Sequence, residues 1–289
     1  MQSLKHHQFI DIHYHANPDL YIRRLSAIEA GLCYKSLGGA VFLKSHLGAT
    51  CVQATLAQQQ GLPVLPSLVL NFVAGGIDYR IIQRELLAYQ PQIAAKMIVH
   101  FPTLTGRQFK SRLTRQLSPT QHQDFSLKPE TLFNDAHQLK QSVIDILKMA
   151  QDCPIVLSTG HASKAEIYAL IDACIQHHVP ALLLNQPAHP LAGLKAQELK
   201  DLSKNDFIWI EQTALTYLIG HQTHDDFAAV LSAVPRVIYS SDLGQTNQMS
   251  ITNWRQFSAL LFEKLALSPT RQAELYHGNA LALLGIANP

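Results

Sequence analysis

The sequence predicts a single α/β domain over residues 1–289, folded as one (β/α)8 TIM barrel. The first observation is the length of 289 residues, because barrels of this class typically have about 250. The second is the composition, 47% hydrophobic and 15% charged, which supplies a large apolar core. The third is the alternation of short apolar runs with segments of helical periodicity, which is typical of parallel sheets buried on both faces.

Eight apolar runs have the length of buried parallel strands, and eight such units favour barrel closure over an open sheet. These runs are 9–14, 40–43, 64–70, 95–101, 154–158, 181–184, 207–211 and 237–241. The helices predicted between and after them are 20–34, 49–60, 79–88, 129–150, 164–177, 194–202, 225–233 and 254–265. Ser163 and Glu166 have the spacing of a capping box, and Ser268 before Pro269 starts a short terminal pair of helices.

One predicted loop is unusually long. Residues 102–128 separate the fourth strand from its helix, whereas a βα loop usually has about 2–6 residues. Its charged residues are five bases and a single acid: Arg107, Lys110, Arg112, Arg115, Lys128 and Asp124. In a barrel this loop would overhang the mouth, so we interpret it as a lid that favours an anionic substrate. A solvated basic loop without a function is the alternative.

The net charge of +2 provides no field that would indicate nucleic-acid or membrane binding. No window approaches about 18 consecutive apolar residues, and residues 1–7 are polar, so the sequence predicts a cytoplasmic protein. The four cysteines form no Cys-x-x-Cys pair, which predicts core thiols rather than disulfides or a thiolate zinc site. A small molecule is the expected partner, and a homo-oligomer stays open.

The segment Asp11 to His15 at the end of the first strand is the strongest chemical signal. Side chains two apart on a strand face the same side, so His13 and His15 can point to one place at the barrel mouth. Imidazole binds zinc and ions of the manganese, nickel and iron type. We therefore predict that both histidines are metal ligands.

Two further candidate ligands end other strands. His161 follows the fifth strand and Asp242 the eighth, and strand C-termini converge at the mouth of a barrel. Three imidazoles and one carboxylate make a credible set of metal ligands. The alternatives are a histidine near the start of the next helix and an acid in the turn before Gly244.

Taken in order, these motifs resemble the amidohydrolase superfamily, whose metal-activated water attacks amides, esters or phosphoesters. The segments 44–46, 159–163, 242–245 and 279–280, together with Glu211, resemble an uncharacterised cytosolic branch of it over nearly the whole chain. Two departures stand out. The fourth strand ends at His100 and not at a bridging Lys or Glu. After the sixth strand, Asn185 or Gln186 occupies the strand end and His189 is displaced into the loop, where its role as a ligand is open. One ion is therefore expected rather than two.

Several other residues near strand ends are candidates for substrate contacts or catalysis. Lys44 could bind a substrate anion or stabilise an oxyanion, or extend from the rim into solvent. Glu211 ends an apolar strand and needs a partner, whether the metal, the substrate or Lys44. Arg23 could clamp a carboxylate or phosphate, or begin a solvated helix. The remaining candidates for substrate binding are His46, His100, Asn185 and Gln186.

The predicted function is hydrolysis of a small amide, lactone or ester that carries an anionic group. A Zn²⁺-like ion would activate water, with Asp242 as general base. The alternatives are a metal-dependent decarboxylase or lyase on the same scaffold, a phosphoesterase, and a non-catalytic barrel that binds a ligand or metal.

Overall fold

The computed structural model describes residues 3–107, 109, 111–119 and 127–286. Lys110 and Asp124 of the predicted basic loop lie outside the described residues. Within the described part, nine strands alternate with helices in a mixed α/β fold. The strands are β1 (Phe9–Tyr14), β2 (Gly39–Leu43), β3 (Val64–Leu65), β4 (Ser67–Val69), β5 (Met97–His100), β6 (Ile155–Ser158), β7 (Leu182–Leu184), β8 (Ile208–Thr213) and β9 (Val237–Ser240).

All neighbouring strands run parallel, in two sheets. One sheet has the order β1-β2-β3 and the other the order β4-β5-β6-β7-β8-β9, so spatial order follows chain order in both. Such an order requires a crossover between successive strands, and helices provide most of these crossovers. The predicted parallel α/β architecture is therefore confirmed.

The third predicted strand, 64–70, is divided into β3 and β4. Pro66 stands between the two halves and has no backbone N–H to donate to a ladder. The amide of Ser67 donates to Thr50 Oγ1 at 2.9 Å instead of to a neighbouring strand. A single predicted strand thus becomes two short ones, each paired on one side.

Eleven α-helices cover the sheets within the described residues. They are α1 (Ala27–Ser36), α2 (Cys51–Gln59), α3 (Tyr79–Ala88), α4 (Gln141–Met149), α5 (Lys164–Gln176), α6 (Ala196–Leu202), α7 (Ala214–Leu218), α8 (His224–Ala233), α9 (Ile251–Lys264), α10 (Pro269–Ala273) and α11 (Asn279–Leu283). Ser163 and Glu166 cap α5 reciprocally, as the sequence predicted. Among the described residues, no helix is both long and apolar enough to cross a membrane.

Two helices begin later than the sequence predicts. The first starts at Ala27 and not at 20, because Ser26 and Glu29 form a capping box there and the preceding residues make a loop. The fourth starts at Gln141 and not at 129, because Phe133 and Leu139 pair in a turn. The helical periodicity of the sequence begins before both observed starts. In those preceding residues, however, local hydrogen bonds to the backbone compete with the helix.

The tips of β1 and β9, which belong to different sheets, are joined by hydrogen bonds. The amide of Asp242 donates to His13 O at 2.9 Å, and the amide of His15 donates to Leu243 O at 2.9 Å. Tyr14 and Leu243 form a parallel bridge at the same point. The first and last strands therefore end side by side, which positions the two candidate ligand motifs.

A layer of buried polar side chains crosses the strands near their C-terminal ends. Successive side chains of a strand point to opposite faces. On or just after six strands, a buried polar residue stands two positions after an apolar residue. Each of these apolar residues belongs to, or packs against, one buried apolar cluster, which includes Phe42, Ile98 and Leu183. We call these residues the polar layer: Lys44, His100, Ser158, Asn185, Glu211 and Ser240.

Candidate metal centre

Three donor atoms from β1 and from the end of β9 converge. His13 Nε2 lies 3.1 Å from Asp242 Oδ1 and 3.3 Å from His15 Nε2, and His15 Nε2 lies 3.3 Å from Asp242 Oδ1. The side chains of the two histidines are almost fully buried, and that of Asp242 is 12% exposed. A shift of strand register between Asp11 and Tyr14 accompanies this arrangement on β1.

Glu211 on β8 fixes the orientation of His13. The Nδ1–H of His13 donates to Glu211 Oε1 at 2.9 Å, which leaves the Nε2 atom directed toward His15 and Asp242. Ser240 Oγ donates to the same carboxylate oxygen at 2.8 Å. A carboxylate behind an imidazole is the usual second partner of a metal-bound histidine, because it holds the tautomer and the ring orientation.

Asp242 is held in position by Gln186. Gln186 Nε2 donates to Asp242 Oδ2, while Oδ1 faces the two histidines. Both residues have left-handed backbone conformations, with φ of 45° for Gln186 and 53° for Asp242. Residues other than glycine adopt such a conformation at a cost in free energy, and it is found preferentially at functional sites. Gln186, which the sequence predicted as a substrate contact, therefore lies beside Asp242 and is hydrogen-bonded to it.

Lys44 and Glu211 are linked through the polar layer. Lys44 Nζ donates to Asn185 Oδ1 at 2.7 Å, and Asn185 Nδ2 donates to Glu211 Oε2. Lys44 is only 2% exposed, so it does not extend into solvent from a rim. Its buried charge is compensated by the carboxylates nearby, and Asn185 is engaged on both sides of its amide by protein atoms.

Burial and neighbouring charges shift the pKa values of these groups strongly. Burial lowers the pKa of His13, but the charges of Asp242 and Glu211 outweigh it and raise the pKa to about 9. Burial lowers the pKa of Lys44 to about 8, although the same two carboxylates oppose the shift. Burial would raise the pKa of Asp242, but His13 and His15 hold it well below its usual value. The two carboxylates thus favour a positive charge at this position.

His161 lies beside this group, on the wall of the same cavity as Asp242. Its ring is 5.1 Å from the ring of His189, which in turn is 5.1 Å from the ring of His221. His161 Nδ1 is buried and has no hydrogen-bond partner among the described residues. Burial lowers the pKa of His161 well below its usual value and that of His189 to about 4. Neither belongs to the converging donor group of His13.

His100, at the end of β5, lies near His13. Its Nδ1 atom is 2.8 Å from Ser158 Oγ, and its Nε2 atom is buried without a partner among the described residues. The ring centroids of His100 and His13 are 6.3 Å apart, against 5.2 Å for His13 and His15. His100 is therefore close to the centre but not among the converging donors.

Sequence reasoning did not identify Asp19, which organises a second group. Asp19 accepts hydrogen bonds from Arg23, from the amide of His46 at 2.7 Å and from Ser45 Oγ at 3.0 Å. His15, Asp19 and His46 offer donor atoms close enough to hold an ion. The guanidinium of Arg23 already pairs with the Asp19 carboxylate, so a cation is present there. Arg23 and His46 thus act as hydrogen-bond donors to Asp19 in this structure.

The His13 group fits a single divalent metal ion. Bonds of about 2.0–2.1 Å in a tetrahedral arrangement separate neighbouring ligand atoms by about 3.3–3.4 Å. The observed separations of 3.1, 3.3 and 3.3 Å are close to that value. The donor set of two imidazoles and one carboxylate suits zinc-type ions, and Glu211 supplies the support behind one imidazole.

A narrow cavity opens onto this centre. His161, Gln186, His189 and Asp242 form part of its lining, together with residues of the 102–128 loop. The other lining residues are Leu104, Phe109, Ser111, Leu113, Arg115, Leu215, Thr216, Ile219 and His221. Arg23, His46 and Lys44, which the sequence placed among possible substrate or oxyanion contacts, are not among the lining residues.

Solved structures resemble the chain over almost its whole length. An Agrobacterium tumefaciens protein, solved in its apo form, superposes with a TM-score of 0.58 at 10% identity and covers 98% of this chain and 97% of its own. The others include a Burkholderia multivorans amidohydrolase with bound HEPES (TM-score 0.47, 14% identity, 97% of this chain and 100% of its own). A probable 2-pyrone-4,6-dicarboxylic acid hydrolase from Acinetobacter baumannii, with citric acid bound, gives 0.44 at 12% identity and covers 96% and 100%.

At such low identities a likeness between structures concerns the fold alone. No curated protein sequence matches the chain. Residues 8–211 match the sequence profile described as "Family of unknown function (DUF6282)", and since this match spans more than half of the 289 residues, the chain belongs to that family.

Proposed function

We propose that the two sheets form one closed (β/α)8 barrel with the metal centre at its C-terminal mouth. Two observations support closure: only Pro66 separates β3 from β4, and the tips of β1 and β9 are hydrogen-bonded through His13, His15 and Asp242. In a barrel, residues that follow the strands converge at one end. The polar layer lies just below that end.

The chain is, on this proposal, a metal-dependent hydrolase with one divalent ion, most simply Zn²⁺. His13, His15 and Asp242 would hold the ion. His161 would be a further ligand, and His189 stays a candidate ligand. The convergence of three donor atoms within 3.3 Å carries this assignment. Arg23 supports a count of one ion, because its guanidinium neutralises Asp19 in the neighbouring donor group.

A bound Zn²⁺ ion supplies Lewis acidity and lowers the pKa of a coordinated water to about 7. Asp242 would accept the proton of the attacking water and return it to the leaving group. Its Oδ2 atom receives a hydrogen bond from Gln186, which fixes the plane of the carboxylate. Glu211 keeps His13 in the tautomer that presents Nε2.

For Lys44 we propose a supporting role instead of the contact with a substrate anion or oxyanion that the sequence suggested. Its ammonium is buried and donates to Asn185, so it would support Glu211 and would not contact the substrate directly. The substrate would be a small amide, lactone or ester with an anionic group. The cavity residues that contact it would come from the 102–128 loop and from His161, His189 and Gln186.

A metal-dependent decarboxylase or lyase is the second candidate. The observation that favours it is His100 at the end of β5, where a bridging carboxylate or carbamylated lysine would support a two-metal hydrolase. Release of carbon dioxide, rather than of an acid with an amine or alcohol, would separate the two reactions on a common panel of substrates.

The metal content of purified protein tests the proposal directly. We expect one ion per chain in the wild type and strong loss in His13→Ala and Asp242→Asn, because each change removes one of three converging donors. His6→Ala and Asp172→Asn alter exposed residues of the same types and should keep the wild-type content. Elemental analysis of protein prepared without added metal provides the measurement. Equal content in all five proteins would remove the proposed site.

A further inference from the structure

Part of the 102–128 loop crosses the cavity as a strap, which we define as residues 111–119. At one end, Arg112 Nη1 donates to the carbonyl of Gly220, after α7, at 2.8 Å. At the other end, the amide of Ile22 donates to Gln116 O at 3.0 Å, in the loop after β1. The strap is therefore anchored on both sides, and the residues between its anchors lie over the cavity.

Arg115 lies between these anchors and lines the cavity with Asp242 and His161. Its guanidinium carbon lies 5.1 Å from the centre of the Tyr21 ring, which orients the group by a cation–π contact. Its Nε atom is buried and without a hydrogen-bond partner among the described residues. Within the described part of the chain, this guanidinium has no carboxylate in an ion pair with it.

Arg23 also contacts the Tyr21 ring, at 5.6 Å, but it differs from Arg115 in its pairing and its position. It is 2% exposed and donates to Asp19 through Nε and Nη2. Its Nη1 atom has no hydrogen-bond partner among the described residues, but Arg23 does not line the cavity. The anion-binding role that the sequence suggested for Arg23 is therefore available to Arg115 instead.

We propose that Arg115 forms a carboxylate-binding subsite, and that the substrate is a small carboxylic acid whose reactive group faces Asp242. The proposal rests on the proposed function for the position of the reactive group, but not for the existence of the subsite. An arginine presents paired N–H donors that match a carboxylate. The same cavity is lined by Leu113, Leu215 and Ile219, which suit a short apolar segment of the ligand.

A monoanion fits the cavity better than a phosphate ester. Among the described residues that line the cavity, Arg115 is the one Lys or Arg side chain and Asp242 the one acid. A single guanidinium balances one carboxylate, whereas a phosphate dianion would retain excess charge in a confined space that already holds Asp242. We therefore expect a preference for carboxylate over inorganic phosphate.

Butyrate and butyramide are suitable probes, because they have nearly the same shape and differ in charge. Isothermal titration into metal-loaded protein should give tighter binding of butyrate than of butyramide. Arg115→Gln should weaken butyrate binding at least about tenfold, as expected for loss of charged hydrogen bonds, and leave butyramide within about twofold. Arg115→Lys should fall between, because it retains the charge but loses the paired donors.

Arg84→Gln on the exposed face of α3 serves as the matched control and should bind butyrate as the wild type does. The metal content of each variant separates the two proposals. Arg115→Gln should retain its ion, and a failure of the proposed metal centre would appear in the metal content and not in the comparison of butyrate affinities. Equal butyrate affinity in wild type and Arg115→Gln, or no butyrate binding to the wild type, would overturn the subsite. Tighter, Arg115-dependent binding of inorganic phosphate would overturn the preference for a carboxylic acid.

Discussion

At the scale of single residues, Glu211 connects the candidate centre to the rest of the strand ends. It accepts hydrogen bonds from His13, Ser240 and Asn185, and through Asn185 it is linked to Lys44. A buried carboxylate with this many donors remains ionised, and His13 and Lys44 lower its pKa although burial opposes them. Its charge would therefore act on the proposed metal ion through His13 rather than by direct contact.

Glu211→Gln should weaken Zn²⁺ binding by about 10–100-fold, the usual effect of removing a carboxylate that supports a metal-bound histidine. The amide keeps the volume but loses the negative charge that holds the His13 Nδ1 proton and balances Lys44. Competition with a chromophoric chelator measures the affinity. Glu263→Gln on exposed α9 is the control, and an unchanged affinity in Glu211→Gln would show that the contact does not support the site.

The residue scale also shows what sequence reasoning could reach. His13, His15 and Asp242 were predicted because each lies at or just after the end of an apolar strand, and their donor atoms do converge. Asp19 was missed because it lies in a loop, with no strand or periodic pattern to mark it. Its partners Ser45 and His46 are distant in sequence, and only the packing of the loops after β1 and β2 brings them together.

At the scale of elements, the short turn between β6 and α5 determines where His161 stands. Gly160 has φ of 57°, and a Cβ atom there would lie 2.0 Å from Phe101 O. The amide of His161 donates to Pro102 O at 3.0 Å across the same contact. The backbone of the two loops is too close for any side chain, so this glycine is required by sterics as well as by conformation.

Gly160→Ala should destabilise the protein by about 3 kcal/mol or more, because backbone atoms must move to admit the methyl group. Gly193→Ala is the matched control: its φ is 62°, but the nearest atom to a Cβ is Pro190 O at 3.8 Å. The control should lose only about 1–2 kcal/mol, the conformational cost of the left-handed region. Urea unfolding measures both variants, and equal losses would contradict the steric explanation.

The polar layer is the element-scale feature that the sequence contained but that strand prediction alone did not reveal. Because side chains alternate within each strand, each polar residue stands two positions after an apolar one, as Lys44 does after Phe42 and His100 after Ile98. A two-residue period is visible in the sequence. That these side chains meet one another depends on the register between strands, which no single strand encodes.

At the scale of the whole molecule, contact between β1 and β9 decides whether the sheets close. If they close as proposed, the amides of His15 and Asp242 are protected by bonds to Leu243 O and His13 O. Their hydrogen exchange should then be as slow as that of Val41, whose amide donates to Pro63 O within the three-stranded sheet. Amide exchange followed by NMR tests this. Exchange of both at the rate of exposed loop amides would contradict closure.

By itself the sequence determined the class of the fold and predicted His13, His15 and Asp242 as candidate metal ligands. Apolar runs alternating with helical periods require a parallel α/β arrangement, since such strands are stable only when both faces are buried. Only the tertiary structure decided which residues act together. It paired Arg23 with Asp19, placed Lys44 behind Asn185 and brought Arg115 over the cavity. These contacts join segments distant in the chain, and their geometry depends on how loops pack, which local pattern does not specify.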